Sequence, residues 1–167
     1  VLARLGHRVR VLESRSTVGQ RFHDDFQGLE NWSTEGDVHE ELRALGIEPT
    51  WWHRAFQEAD LVDASLRKAL VKSRQPLVYC VRRGPQHPGS LDNALLRQAI
   101  DAGVEVCFRR KVMPGDVQIF AGGPRGRPIA VARGFTFATR HPDLASQILA
   151  NSLSPKGYIY FLAAGGR

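Results

Sequence analysis

The sequence has few of the residues that hold small proteins together from outside a core. It carries 2 cysteines and 1 methionine in 167 residues. Cys80 and Cys107 stand apart, each inside an apolar run, and no Cys-x-x-Cys pair occurs. A structural zinc site or a disulfide framework needs more thiols than that. Buried, reduced cysteines in a cytoplasmic protein are the expectation, and nothing favours a bridge between the two. No apolar run approaches the roughly 20 residues that cross a bilayer, and no signal-peptide pattern opens the chain. The Gly-x-Ser-x-Gly of a hydrolase elbow is missing, and no serine, histidine and aspartate suggest a triad. His23-Asp24-Asp25 is too local to surround a metal ion, so no metal is expected.

What is present is an ordinary globular composition, 43% hydrophobic and 24% charged. The net charge is +6 and the isoelectric point is near 9.9. Such a balance attracts anions. The cations are scattered, however, in short groups such as Arg82-Arg83 and Arg109-Arg110-Lys111. No long basic run interleaved with aromatics is seen, so nucleic acid is not the expected partner. The opening Val1-Leu-Ala-Arg-Leu-Gly6 reads as the last turns of a helix, and the chain ends on Gly165-Gly166-Arg167 after a strand-like run. The expectation is therefore a piece of a larger protein.

Periodicity predicts a helix over 1–6, a buried strand from Val9 to Glu13 and an extended loop over 14–32. Thr34 is placed to cap a helix carrying Val38, Leu42 and Leu45, stopped by Gly46. Residues 51–74 keep no clean period. A strand at 77–81, a Gly- and Pro-bearing loop at 82–89 and a helix capped by Ser90, with Leu91, Leu95, Leu96 and Ile100 inward, follow. Strands are predicted at Val104–Phe108 and Val117–Ala121. Beyond Arg127 the pattern predicts a strand-like run around Phe135 and Phe137, a short helix from Pro142 through Leu149 and a strand from Tyr158 to Ala163. No internal repeat is visible.

The most informative local pattern is helix, Gly6, strand, Glu13. In dinucleotide-binding βαβ units the second strand ends in an acid whose carboxylate accepts hydrogen bonds from the ribose hydroxyls. That acid lies about 20 residues after the glycine turn that receives the pyrophosphate. Counting back from Glu13 runs past Val1, so such a turn would precede this sequence. A surface glutamate at a strand end is the plainer alternative.

Several segments read together sharpen the choice. They are Val11-Leu-Glu13, Val18-Gly-Gln-Arg-Phe-His23, Asp25-Phe-Gln-Gly-Leu-Glu-Asn-Trp-Ser33, Arg82-Arg-Gly-Pro85, Gly89-Ser-Leu-Asp92 and Lys156-Gly-Tyr158. In this order they resemble flavin-dependent oxidoreductases of the geranylgeranyl-reductase-like group, within the class that includes p-hydroxybenzoate hydroxylase. The run Phe22 to Trp32 is the most specific. The resemblance implies an α/β fold: an incomplete glutathione-reductase-type, Rossmann-like FAD-binding domain over 1–125, with a variable insert near 50–76. The start of a strand-rich substrate domain would occupy 126–167. It also implies FAD as cofactor, NAD(P)H as electron donor and an apolar, isoprenoid-like small molecule as substrate, with peripheral membrane association left open.

On individual residues, the resemblance implies that Glu13 binds the adenosine ribose and that Arg21 lies along the cofactor. Arg82 or Arg83 would approach the flavin or the pyrophosphate. Gly122 and Gly123 would bring backbone close to FAD in place of the family's Ala-Thr-Gly turn. The threonine of that turn is missing here. Arginines that only solvate a loop, and glycines that only make a turn, are the alternatives. No residue is assigned as proton donor. A non-catalytic nucleotide- or anion-binding α/β module is the rival function.

Overall fold

The run Val78-Tyr-Cys-Val81 is apolar at every position, the pattern of a strand buried on both faces. The structure, a computed structural model, describes residues 1–123, 126–128 and 131–167. In chain order its strands are β1 (Arg10–Glu13), β2 (Phe26–Glu30), β3 (His53–Phe56), β4 (Glu58–Asp63), β5 (Lys68–Lys72), β6 (Val78–Arg82), β7 (Glu105–Phe108), β8 (Leu144–Leu149) and β9 (Ile159–Ala163). The helices are α1 (Val38–Ala44) and α2 (Leu91–Asp101). The chain is thus mixed α/β.

Strand β6 lies between β2 and β3 in a three-stranded antiparallel sheet. Because successive side chains alternate in direction, its two faces feed two cores. Val78 and Cys80 join Phe56, Ala145 and Ala164 against the four-stranded sheet β5-β4-β8-β9. Tyr79 and Val81 join Trp51 and Ala94 against the helices, with Val38, Leu42 and Leu91 packed around them. Full burial pushes the Cys80 thiol up to about 12, so it stays a neutral apolar side chain. Strands β1 and β7 form a separate parallel pair in the register Arg10↔Glu105 to Glu13↔Phe108.

Both helices start where a side chain can satisfy a free backbone N–H. Ser90 Oγ accepts from the Asn93 amide at 3.2 Å and caps α2 as predicted. Asp37, not Thr34, caps α1, accepting from the His39 amide at 2.8 Å. Thr34 instead donates to Glu41 Oε1 at 2.7 Å.

Other expectations change as well. Residues 2–5 make a 3-10 turn closed by Gly6 at φ 86°. The predicted loop at 14–32 contains β2, whose five residues pair with β6. The unpatterned stretch 51–74 holds β3, β4 and β5. Val117–Ala121 is not a strand, and no strand forms around Phe135 and Phe137. Leu144–Leu149, predicted as helix, is β8, paired on both edges with β4 and β9. The four-stranded sheet therefore draws strands from both sides of residue 125, while Pro124 and Arg125 themselves lie outside the described residues.

His39 sits at the centre of the helix-side core, 4% exposed. Its ring stacks on Tyr79 at 3.9 Å and meets His53 edge-on at 4.6 Å. Burial first, then the neighbouring His53, lowers its pKa from 6.5 to about 4. The folded value lies below the unfolded one, so this contribution to stability is complete above pH 6.5. It is lost as the pH falls toward 4 and the unfolded chain takes up the proton more readily. The unfolding free energy from urea titration is expected to drop by about 2–3 kcal/mol between pH 7 and 4.5. His39→Phe keeps the ring and should flatten that drop; an equal drop in both proteins would refute the assignment.

Candidate functional site

Strand β1 delivers Glu13 to the C-terminal end of the parallel pair, the end at which α/β sheets place their ligands. A cleft of about 350 Å³ opens there between the pair and α2. Val11, Glu13 and Val106 form its sheet side, and Leu95 and Ala99 its helix side. Leu95 and Ala99, one turn apart, line the cleft without being covered. Contrary to the inward placement expected from periodicity, Leu95 is 40% and Ile100 52% exposed, and α2 buries Ala94 with Leu91 instead.

Glu13 is held by its own loop. Its Oε1 accepts from the Arg15 amide at 2.7 Å and from Ser14 Oγ at 3.2 Å. Its backbone carbonyl accepts from the Arg110 amide at 2.9 Å. No hydrogen bond engages Oε2 among the described residues. The carboxylate is therefore fixed in direction, with one oxygen free to accept from a ligand.

The arginines lie elsewhere, and their forks are closed. The alternation that splits the faces of β6 continues into Arg82 and Arg83 and sends them opposite ways. Arg83 donates through Nε and Nη2 to both oxygens of Asp92, at 2.9 and 3.0 Å, and through Nη1 to Gln27 at 3.1 Å. The Gly84 amide adds a further bond to Asp92 at 2.8 Å. Burial pushes the Asp92 carboxyl up, but the Arg83 and Gly84 hydrogen bonds outweigh it and hold the group below the ordinary carboxylate value. Phe22 fills the space between Arg83 and Arg21, whose guanidinium carbons lie 4.1 and 4.6 Å from its ring centre. Arg21 itself is exposed.

Arg82 donates through Nε to Asp24 at 2.8 Å and through Nη2 to the same carboxylate, which also accepts from Arg167. Burial raises the Asp24 carboxyl, yet the two arginines bring it below its usual range. The guanidinium lies 5.9 Å from the Trp52 ring and 6.0 Å from that of Phe26, two rings stacked on each other at 5.3 Å. Asp24 reaches this position with φ 67°, a left-handed conformation that aspartate tolerates better than most residues.

Of the predicted site residues, then, only Glu13 lines the cleft. Arg83 borders it through Asp92, Arg82 is on the opposite face, and Arg21 covers Phe22. Gly122 and Gly123 are exposed and line neither this cleft nor the larger one described below. Asp92 and Gly19 stand inside the segments Gly89-Ser-Leu-Asp92 and Val18-Gly-Gln-Arg-Phe-His23 that carry the resemblance, but motif reading gives neither a role of its own. Gly19 has φ +62°, and a Cβ there would stand 2.6 Å from Asp92 Cγ, so only glycine lets this loop close on α2. The available signal was an aspartate in the first turn of a helix shortly after an arginine pair, a natural counter-ion arrangement. Among the described residues no group of three or more His, Cys, Asp or Glu side chains could hold a metal ion. No described helix is long and apolar enough to cross a membrane.

No protein-family model, curated protein or solved structure matches the chain.

Asp92→Asn removes the charge opposite Arg83 and leaves a largely buried guanidinium without its counter-ion. The variant is expected to lose about 2–3 kcal/mol of stability, lowering the melting temperature by about 5–10 °C. A calorimetric melt that matches the parent would show that the Arg83–Asp92 contact carries no stability.

Proposed function

We propose that the chain belongs to an FAD-dependent oxidoreductase, in which a nicotinamide cofactor reduces the flavin and the flavin passes hydride to an apolar substrate. The observation that carries this reading is the position of Glu13. It stands at the C-terminal end of a parallel strand, facing a cleft floored by a helix, with Oε2 uncommitted. That is the arrangement a ribose diol needs from a carboxylate. The motif resemblance running from Val11 to Tyr158 supplies the flavin chemistry that the geometry alone does not.

The residues fit the adenosine end of the cofactor better than its phosphates. Glu13 would accept from the ribose hydroxyls, and the apolar side chains of Val11 and Leu95 would flank the adenosine. Arg83 is neutralised by Asp92, and Arg82 is tied to an Asp24 that it shares with Arg167, so their work is to hold the loop around Phe22 in place. Phosphate recognition falls to backbone amides in this reading. The flavin supplies the hydride chemistry when bound, while the protein binds and orients it.

The test is flavin content of the protein expressed from its complete reading frame. Visible flavin absorbance should appear on purification or after FAD is added. Glu13→Gln, which keeps the bonds at Oε1 and loses the charge, should weaken FAD binding by about tenfold. A protein that stays colourless with FAD would overturn the assignment. FAD that binds but accepts no electrons from NADH or NADPH would favour a nucleotide-binding module over an enzyme using that donor.

A further inference from the structure

We propose that the cleft between β2 and the four-stranded sheet is a binding site for an uncharged, largely apolar small molecule that carries hydroxyl or carbonyl groups. The cleft measures about 670 Å³, within the range of small-ligand pockets. Its floor follows from strand register: Leu61, Gln147 and Tyr160 are direct neighbours across β4, β8 and β9. Leu162 stands beside Ala145 in the next row. The facing wall is β2, where Gly28 presents bare backbone; a Cβ there would lie 2.8 Å from Val78 Cγ2.

Three features define the ligand. Large aromatic surface is left open around one cleft, with Trp32 55%, Tyr158 51% and Tyr160 50% exposed. Solvent-facing apolar area gathered in one concavity marks an interaction site, whereas scattered single residues do not. The polar groups there are uncommitted: no hydrogen bond engages the side chains of Glu30, Gln147, Tyr158 or Tyr160 among the described residues. Burial, reinforced by Tyr158 and Asp25, raises the Tyr160 pKa, so its phenol remains a donor. Finally, among the described residues no lysine, arginine or histidine lines the cleft, while Glu30 does. A carboxylate or phosphate would enter beside a like charge with no counter-ion, whereas a hydroxyl can donate to Glu30 and a carbonyl can accept from Gln147 or Tyr160.

This site is distinct from the Glu13 cleft and goes beyond the flavin reading; if that reading holds, the substrate has a place to sit. The probes are neutral phenylnaphthylamine and its anionic relative anilinonaphthalene sulfonate, followed by fluorescence on the purified chain. The neutral probe should saturate a single site and bind at least about tenfold tighter than the sulfonate. Leu61→Trp, which fills the floor, should abolish that binding. Glu30→Lys, at an exposed position, should tighten the sulfonate by about tenfold and reverse the preference. A parent that prefers the sulfonate, or unchanged neutral binding in folded Leu61→Trp, overturns the proposal. Should Leu61→Trp not fold, Glu30→Lys decides alone, and sulfonate affinity unmoved by it is equally fatal. Flavin content is read separately. A colourless protein that binds the amine retires the flavin reading alone, and a yellow one that ignores the amine retires this site alone.

Discussion

Strand β6 is the constraint on which the rest of the structure depends. Its side chains are apolar on both faces, so neither face can be left in water, and each face demands a layer of its own. The demand is met on one side by α1 and α2 and on the other by the four-stranded sheet. The same alternation decides what happens beyond the last apolar residue. Arg82 emerges toward the sheet and the Phe26–Trp52 stack, Arg83 toward the first turn of α2. Two adjacent arginines that look like one anion site in the sequence become two separate anchors, Arg83 closed on Asp92 and Arg82 on an Asp24 that it shares with Arg167.

Those anchors set the shape of the Glu13 cleft. Arg83 and Gly84 hold Asp92, and Asp92 in turn touches the loop at Gly19, which passes beneath α2. Phe22, gripped between Arg21 and Arg83, fixes the remainder of that loop. Largely buried, this bidentate pair fixes geometry, and loss of either partner leaves the other charge uncompensated. Here it ties the first turn of α2 to the Arg83-Gly84 segment and the Gly19 loop that border the cleft.

What was legible in the sequence is what local physics decides. The amphipathic repeat and Ser90 define α2, and the apolar runs define β1, β6 and β7. Glu13 could be singled out because a strand end followed by polar residues is a local pattern. The failures belong to long-range pairing. Phe26-Gln-Gly-Leu-Glu30 has glycine at its centre and reads as loop, yet β6, some fifty residues later, supplies its hydrogen bonds. Leu144-Ala-Ser-Gln-Ile-Leu149 follows a proline and has good helix formers, and it still becomes a strand because β4 and β9 flank it on both edges. The arginine partners were hidden for the same reason: Asp24 and Arg82 are 58 residues apart.

The parallel pair carries a further consequence, and it concerns the order in which the chain can assemble. Arg10 and Glu105, which meet across β1 and β7, are separated by 95 positions, and Asp24 and Arg167 by 143. Closing loops of that length costs entropy before any contact returns it, which is why topologies rich in distant pairs fold slowly. The β4–β5 hairpin and the β3–β6 pairing span far shorter distances. The middle of the chain closes on short loops, whereas the strand that bears Glu13 finds its partner only in β7, beyond α2. The cleft thus rests on a closure of 95 positions, long in itself and exceeded by the 143 between Asp24 and Arg167.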